Sequence, residues 1–161
     1  MQSLHNSKFC ITFAPLLIMK TNINQFKTID KMSKLNNFLS SMLVMVCGGN
    51  DVNKAAMNYN NVHYPLPRIF CKDGFNISIQ VNAMNYCGSE NGIRKFGVDW
   101  KMVEWGFPSE DLPNDEKYNS EGDVGGYVNI DIMEELLDSH GGIDYEETFK
   151  QAYDLNKERL K

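Results

Sequence analysis

Residues 75–82, FNISIQVN, alternate without a break: Phe75, Ile77, Ile79 and Val81 are apolar, and Asn76, Ser78, Gln80 and Asn82 between them are polar. Successive side chains on a strand point to opposite faces, so this segment predicts a strand with one buried and one open face. Ahead of it, RIFC at 68–71 reads as a second short strand. Lys72-Asp73-Gly74 between the two is hairpin chemistry, with Gly74 able to take the positive φ of such a turn. A chain that holds this hairpin builds a small antiparallel sheet and needs something to cover one side of it.

The cover is expected from the C-terminus. Asp131 as N-cap with Glu134 three residues on forms a capping box, followed by Leu136 and Leu137 and a stop at Gly141-Gly142. A second helix repeats this with Asp144 and Glu147. Its stripe is Tyr145, Phe149, Ala152, Tyr153 and Leu160, and Lys157, Arg159 and Lys161 complement its dipole. Further strands are expected at 98–107 and from Tyr127 to Ile130 after Gly125-Gly126, with a turn at Asn91-Gly92 and an exposed loop at 108–123. Phe26, Ile29, Met32, Leu35, Leu39, Met42 and Val46 step by three or four, which predicts an amphipathic helix over 25–46 ended by Gly48-Gly49. The Asn-rich stretch Gly48–Pro67 reads as a linker. The expected fold is α+β: a small antiparallel sheet from 68–130 packed by two C-terminal helices, plus the N-terminal amphipathic helix. Residues 66–161 form the domain and residues 1–65 an extension, whose helix packs on the domain or stands apart.

With 161 residues, 42% of them apolar, the chain is neither disordered, collagen-like nor a multi-span membrane protein. Four irregularly spaced cysteines form no disulfide framework and point to a reducing compartment. Charge is uneven: residues 1–65 carry 6 Lys and 2 Asp, whereas residues 108–161 carry 5 basic and 15 acidic groups. Such an acidic third repels phosphates, so direct nucleic-acid binding is disfavoured and a basic partner is the electrostatic match. Solvated helix faces that serve solubility are the plainer reading of the same charge.

The run FCITFAPLLIM at 9–19 is eleven residues long, too short to cross a bilayer. Its flanks lack a signal peptide's basic start and small-residue cleavage site. Lys34 before FLSSMLVMVC at 38–47 allows an exported or lipid-anchored alternative through Cys47, although Met45 and Val46 stand where small residues are wanted. Met19 and Met32 are alternative starts to Met1.

No GxxxxGK[ST] or GxGxxG occurs, and no CxxC, CxxH or HxxxH pair that would pre-orient metal ligands around Cys71, Cys87, His63 or His140. The acidic loop lacks the spacing of a calcium hand. Neither metal nor cofactor is expected, and no catalytic residue is assigned: Cys87 with a distant His140 is thin evidence for a nucleophile. Binding candidates are Tyr86 and Cys87 at a strand end, Trp105 and Phe107 beside the acidic loop, and Glu110 and Asp111 within it. Trp100, Trp105 and Phe107 read either as core or as anchors of a protein-binding patch with a charged rim.

Three stretches, KDGFNISIQVNAMNYC at 72–87, VEWGFPSE at 103–110 and GGYVNIDIMEELLDSHGGI at 125–143, resemble small proteins of unassigned activity encoded by tailed bacteriophages. The resemblance covers about residues 68–144. It implies a viral accessory protein in the host bacterial cytoplasm and supplies no catalytic residue. The expected function is non-enzymatic binding of a host protein, inhibition being one form of it, with no membrane involvement. The alternative is a small-molecule binder or hydrolase with a pocket near Tyr86 and Cys87.

Overall fold

The hairpin forms where the alternation puts it. In the computed structural model, which describes residues 33–47, 65–82, 84–88, 100–113 and 116–159, β1 (Ile69–Phe70) and β2 (Asn76–Gln80) pair antiparallel, with Ile69 opposite Ile77. Gly74 takes φ +99°, and its N–H donates to the Cys71 carbonyl at 3.0 Å. Phe75, Ile77, Ile79 and Val81 are all buried. Of the polar alternates, Gln80 is buried too, because its amide clasps Leu66: Oε1 accepts the Leu66 N–H at 2.7 Å and Nε2 donates to the Leu66 carbonyl at 3.0 Å. A buried amide paired on both sides loses little on leaving water.

β3 (Met102–Gly106) lies beside β2, then β5 (Val124–Asn129), then β4 (Ser120–Glu121), in the order β1-β2-β3-β5-β4 with every pair antiparallel. The fold is α+β. Two local expectations are corrected. Gly125 and Gly126 lie inside β5 rather than ahead of it, and the helix α2 (Ile130–Ser139) starts directly from the strand. Its N-cap is Asn129, whose Oδ1 accepts the Asp131 N–H at 2.8 Å, and not Asp131. Residues 108–123 are not wholly loop. They include a 3₁₀ turn, Glu116–Tyr118, and β4, because Gly122 at φ +65° closes a two-residue connection back to β5.

At the other end of α2, Gly141 and Gly142 take φ +80° and +82°, and the Gly142 N–H returns to the Leu137 carbonyl at 2.9 Å, the glycine stop that the sequence predicts. Asp144 caps α3 (Tyr145–Arg159) by accepting the Glu147 N–H at 3.0 Å. The reciprocal half of that capping box is absent, since the Asp144 N–H donates to the Phe70 carbonyl instead. The fully buried Thr148 takes the Phe70 N–H at 2.9 Å. The outer edge of β1 is thereby closed by α3, which removes a row of groups that would otherwise template pairing with another chain.

The helix α1 (Lys34–Cys47) packs into the same core through Leu35, Phe38, Leu39, Met42 and Leu43. Two polar links fix it. Asn36, 2% exposed, donates to the Trp100 carbonyl at 2.8 Å and accepts the Trp100 N–H at 3.2 Å. The Glu134 carboxylate, instead of capping its own helix, accepts the N–H groups of Lys34 and Leu35 at 3.3 and 3.2 Å. Those are orphan donors at a helix start, where negative charge is favoured. Of the two expected placements for this helix, packed or apart, it is packed. The chain divides into Met1–Lys31 and Met32–Lys161, and every described residue falls in the second unit, which takes in α1 as well as the sheet.

The run 9–19, the part of the helix before residue 33, the stop at Gly48-Gly49, the linker up to residue 64, the turn at Asn91-Gly92, Leu160 and Lys161 lie outside the described residues. So do the side chains of Val46, Cys47, Lys157 and Arg159. Among the described residues no helix is long and apolar enough to cross a membrane.

Candidate interaction surface

The helices cover one face of the sheet. On the other, the polar alternates of β2 meet those of β3: Ser78 stands opposite Gly106 and Gln80 opposite Glu104. Asn82 and residues 84–88 lie against this face. Asn82 Oδ1 turns the chain by accepting the N–H groups of Met84 and Asn85 at 2.7 and 3.1 Å. Glu104 then pins the turn, taking a bond from Asn85 Nδ2 at 2.6 Å and from the Tyr86 N–H at 2.8 Å. Between this segment and the end of β3 runs an open groove of about 470 Å³, lined among others by Asn82, Met84, Glu104, Gly106, Phe107 and Val124. That volume is within the ~300–1,000 Å³ of ligand sites.

Two aromatic residues on this face have a backbone that such residues rarely adopt. Phe107 has φ +51° and Tyr127 φ +54°. For a bulky side chain a left-handed conformation costs about 1–3 kcal/mol and persists only where the surroundings hold it. Both are held. The Phe107 N–H donates to the Asp123 carbonyl at 2.6 Å, and the Arg68 guanidinium donates to the Phe107 carbonyl while also bonding Asn76 Oδ1 at 2.8 Å. Tyr127 sits at a bulge, where Val103 pairs with Val128 but Trp105 with Gly125, leaving one extra residue on β5. Its N–H donates to the Tyr86 carbonyl at 2.7 Å, and the two rings meet edge to face at 5.8 Å.

Both rings face water, Phe107 at 62% and Tyr127 at 40% exposure, and Met84, Tyr86 and Val124 are exposed with them. Among the described residues these are five of the seven exposed large apolar side chains, so the apolar surface is concentrated on this one side.

Of the candidates named from sequence, Tyr86 and Phe107 reach solvent, and Phe107 lines the groove. Trp105 and Cys87 are 2% and 3% exposed and form core. The Trp105 indole crosses over Gly125 and donates to the Tyr118 carbonyl at 2.8 Å, and a Cβ on Gly125 would stand 2.5 Å from that same oxygen. The Cys87 thiol bonds the Asn82 carbonyl at 3.2 Å. Asp111 is exposed; Glu110 is exposed too but does not line the groove, and its Oε1 lies 3.6 Å from His140 Nε2.

His140 closes α2 by stacking on Phe75, rings 3.9 Å apart and 11° from parallel, and its Nδ1 lies 2.7 Å from Asp73 Oδ2. The Phe75 N–H, and next His140, hold the Asp73 carboxyl below its usual range. Cys87 and His140 thus carry separate contacts and make no dyad. Burial, reinforced by Asp73 and Asp138, pushes the nearby Cys71 thiol up to about 11, so it stays protonated and inert. Among the described residues no three His, Cys, Asp or Glu side chains are placed to hold a metal ion.

No family model, curated protein or solved structure matches the chain. The surface is therefore read from its own chemistry. Sequence reasoning missed Glu104, Met84 and Tyr127 there. The available signal was Glu104 itself, a lone carboxylate between Val103 and Trp105 in an otherwise apolar strand.

Proposed function

We propose that the protein is a non-enzymatic accessory protein of a tailed bacteriophage, acting in the host bacterial cytoplasm by binding a basic host protein with its open sheet face. Inhibition of that protein is the simplest outcome. The viral setting rests on the resemblance of residues 68–144. The binding role rests on one observation: Phe107 and Tyr127 are held exposed in left-handed backbone conformations beside an open groove. Exposed aromatic anchors within a polar surround are what protein interfaces use, and the 15 acidic groups of residues 108–161 favour a cationic partner.

The test is retention from bacterial lysate on immobilised protein, compared with a Tyr86→Ser/Phe107→Ser/Tyr127→Ser variant of equal melting temperature. A protein retained by the wild type, released by salt and lost with the variant supports the reading. Equal retention by both overturns it. The groove favours a small polar ligand as the second reading, and a thermal-shift screen with small molecules would reveal that. Its hydrolase form draws nothing from Cys87, whose thiol is buried.

A further inference from the structure

Glu104 combines two properties that rarely coincide. It is only partly exposed, on the floor of the groove, and among the described residues no Lys, Arg or His lies within ion-pair distance of it. Its contacts are with neutral donors, the Asn85 amide at 2.6 Å and the Tyr86 N–H at 2.8 Å. A carboxylate drawn partly out of water and left without a counter-charge attracts a cation more strongly than a fully solvated one does.

Resting on the binding role above, we infer that this groove receives an arginine side chain of the partner protein, with Glu104 as its counter-ion. The two existing hydrogen bonds fix the carboxylate's orientation and leave acceptor sites, since an ionised carboxylate offers about four. A guanidinium fork meets such a carboxylate in two parallel bonds, which an ammonium cannot do. The rest of the lining suits the same group. Met84, Phe107 and Val124 offer apolar walls to a planar, weakly hydrated cation, and Gly106, beside Glu104 on the same face, raises no side chain in its way. Arg68, which bonds Asn76 of β2, is committed there and to the Phe107 carbonyl. A second copy of this chain is a poor occupant, because its acidic third would face another.

The probe is an arginine-rich nonapeptide added to the full chain, with lysine and citrulline counterparts, followed by calorimetry and amide chemical shifts. The arginine peptide should bind, the lysine peptide several-fold more weakly and the neutral citrulline peptide not measurably. Shifts should centre on Asn85, Glu104 and Phe107. Glu104→Gln, which has the same shape but keeps an acceptor for only one of the two donors, Asn85 Nδ2 or the Tyr86 N–H, should weaken the arginine peptide at least about tenfold, as expected for losing one partner of a desolvated charge pair. Equal binding of the citrulline peptide, or shifts confined to residues 108–113 and 116–123, would overturn the proposal even if Glu104→Gln were to fold poorly. If Glu104→Gln retains the lysate partner and the triple aromatic variant loses it, the arginine site fails and the binding face stands. If neither variant affects retention, both fail.

Discussion

On the helix-covered side of the sheet, Ile77, Ile79, Val103 and Val128 are at most 1% exposed, and Trp105 fits only because Gly125 carries no side chain. On the open side, Tyr86, Phe107 and Tyr127 stand between 40% and 62% exposed, two of them in a backbone conformation that disfavours their type. One side gains stability from every side chain placed there. The other spends backbone strain to hold aromatic rings in water, as surfaces shaped for recognition do. The two faces of this sheet thus differ in what holds their side chains, burial on one and backbone contacts around exposed rings on the other.

The covered side should tolerate losses least. Deleting residues 1–65 removes five buried apolar side chains of α1, each contributing roughly 1.5–3 kcal/mol on burial. Against a net stability of about 5–15 kcal/mol, residues 66–161 alone are expected to show no cooperative thermal transition by circular dichroism. Trp105→Ala comes next, with an expected loss of about 3–5 kcal/mol from the cavity and the abandoned Tyr118 carbonyl, read from urea denaturation.

Phe107→Gly should do the opposite on the open side. It relieves the left-handed conformation while adding the chain entropy of glycine, so stability should stay within about 1 kcal/mol of wild type while partner retention falls. A large destabilisation would mean that the ring is structural after all. The smallest effect concerns Asp73. Its folded pKa is depressed, chiefly by the Phe75 N–H and then by His140. Its stabilising contribution is therefore present above the ordinary carboxylate pKa and lost as pH falls through the depressed value. Urea midpoints of wild type and Asp73→Asn should differ at neutral pH and converge in acid; a constant gap would assign the contact no charge component.

The sequence made the covered side legible and the open side only partly so. Alternation over 75–82, the turn at Gly74 and the stops at Gly141 and Gly142 are local patterns, set by neighbours in the chain. What it hid is long-range. Phe107 and Tyr127 belong to the residue types least suited to positive φ, so local rules extend the strand through them. The overriding contacts come from Arg68 and from the Tyr86 carbonyl, distant in sequence. Asn36 lies in a helical segment, and only Trp100, 64 residues on, explains its burial. Tyr86 could be named as a candidate from its place at a strand end, and Phe107 from the aromatic cluster beside the acidic loop. Trp105, of the same chemistry two residues away, points into the core, because alternation gives the faces of a strand but not which one is covered.

The bond from Lys34 to Glu134 spans 100 residues. During synthesis at about 5–20 residues per second, the start of α1 leaves the ribosome roughly 5–20 s before the carboxylate that completes it. For the first part of that interval, until β1 at Ile69–Phe70 follows, Leu35, Leu39 and Met42 have none of the sheet to lie on. The segment is then a waiting apolar surface, within reach of chaperones that scan nascent chains. Translation speed across residues 48–70 thus sets how long that surface stays uncovered.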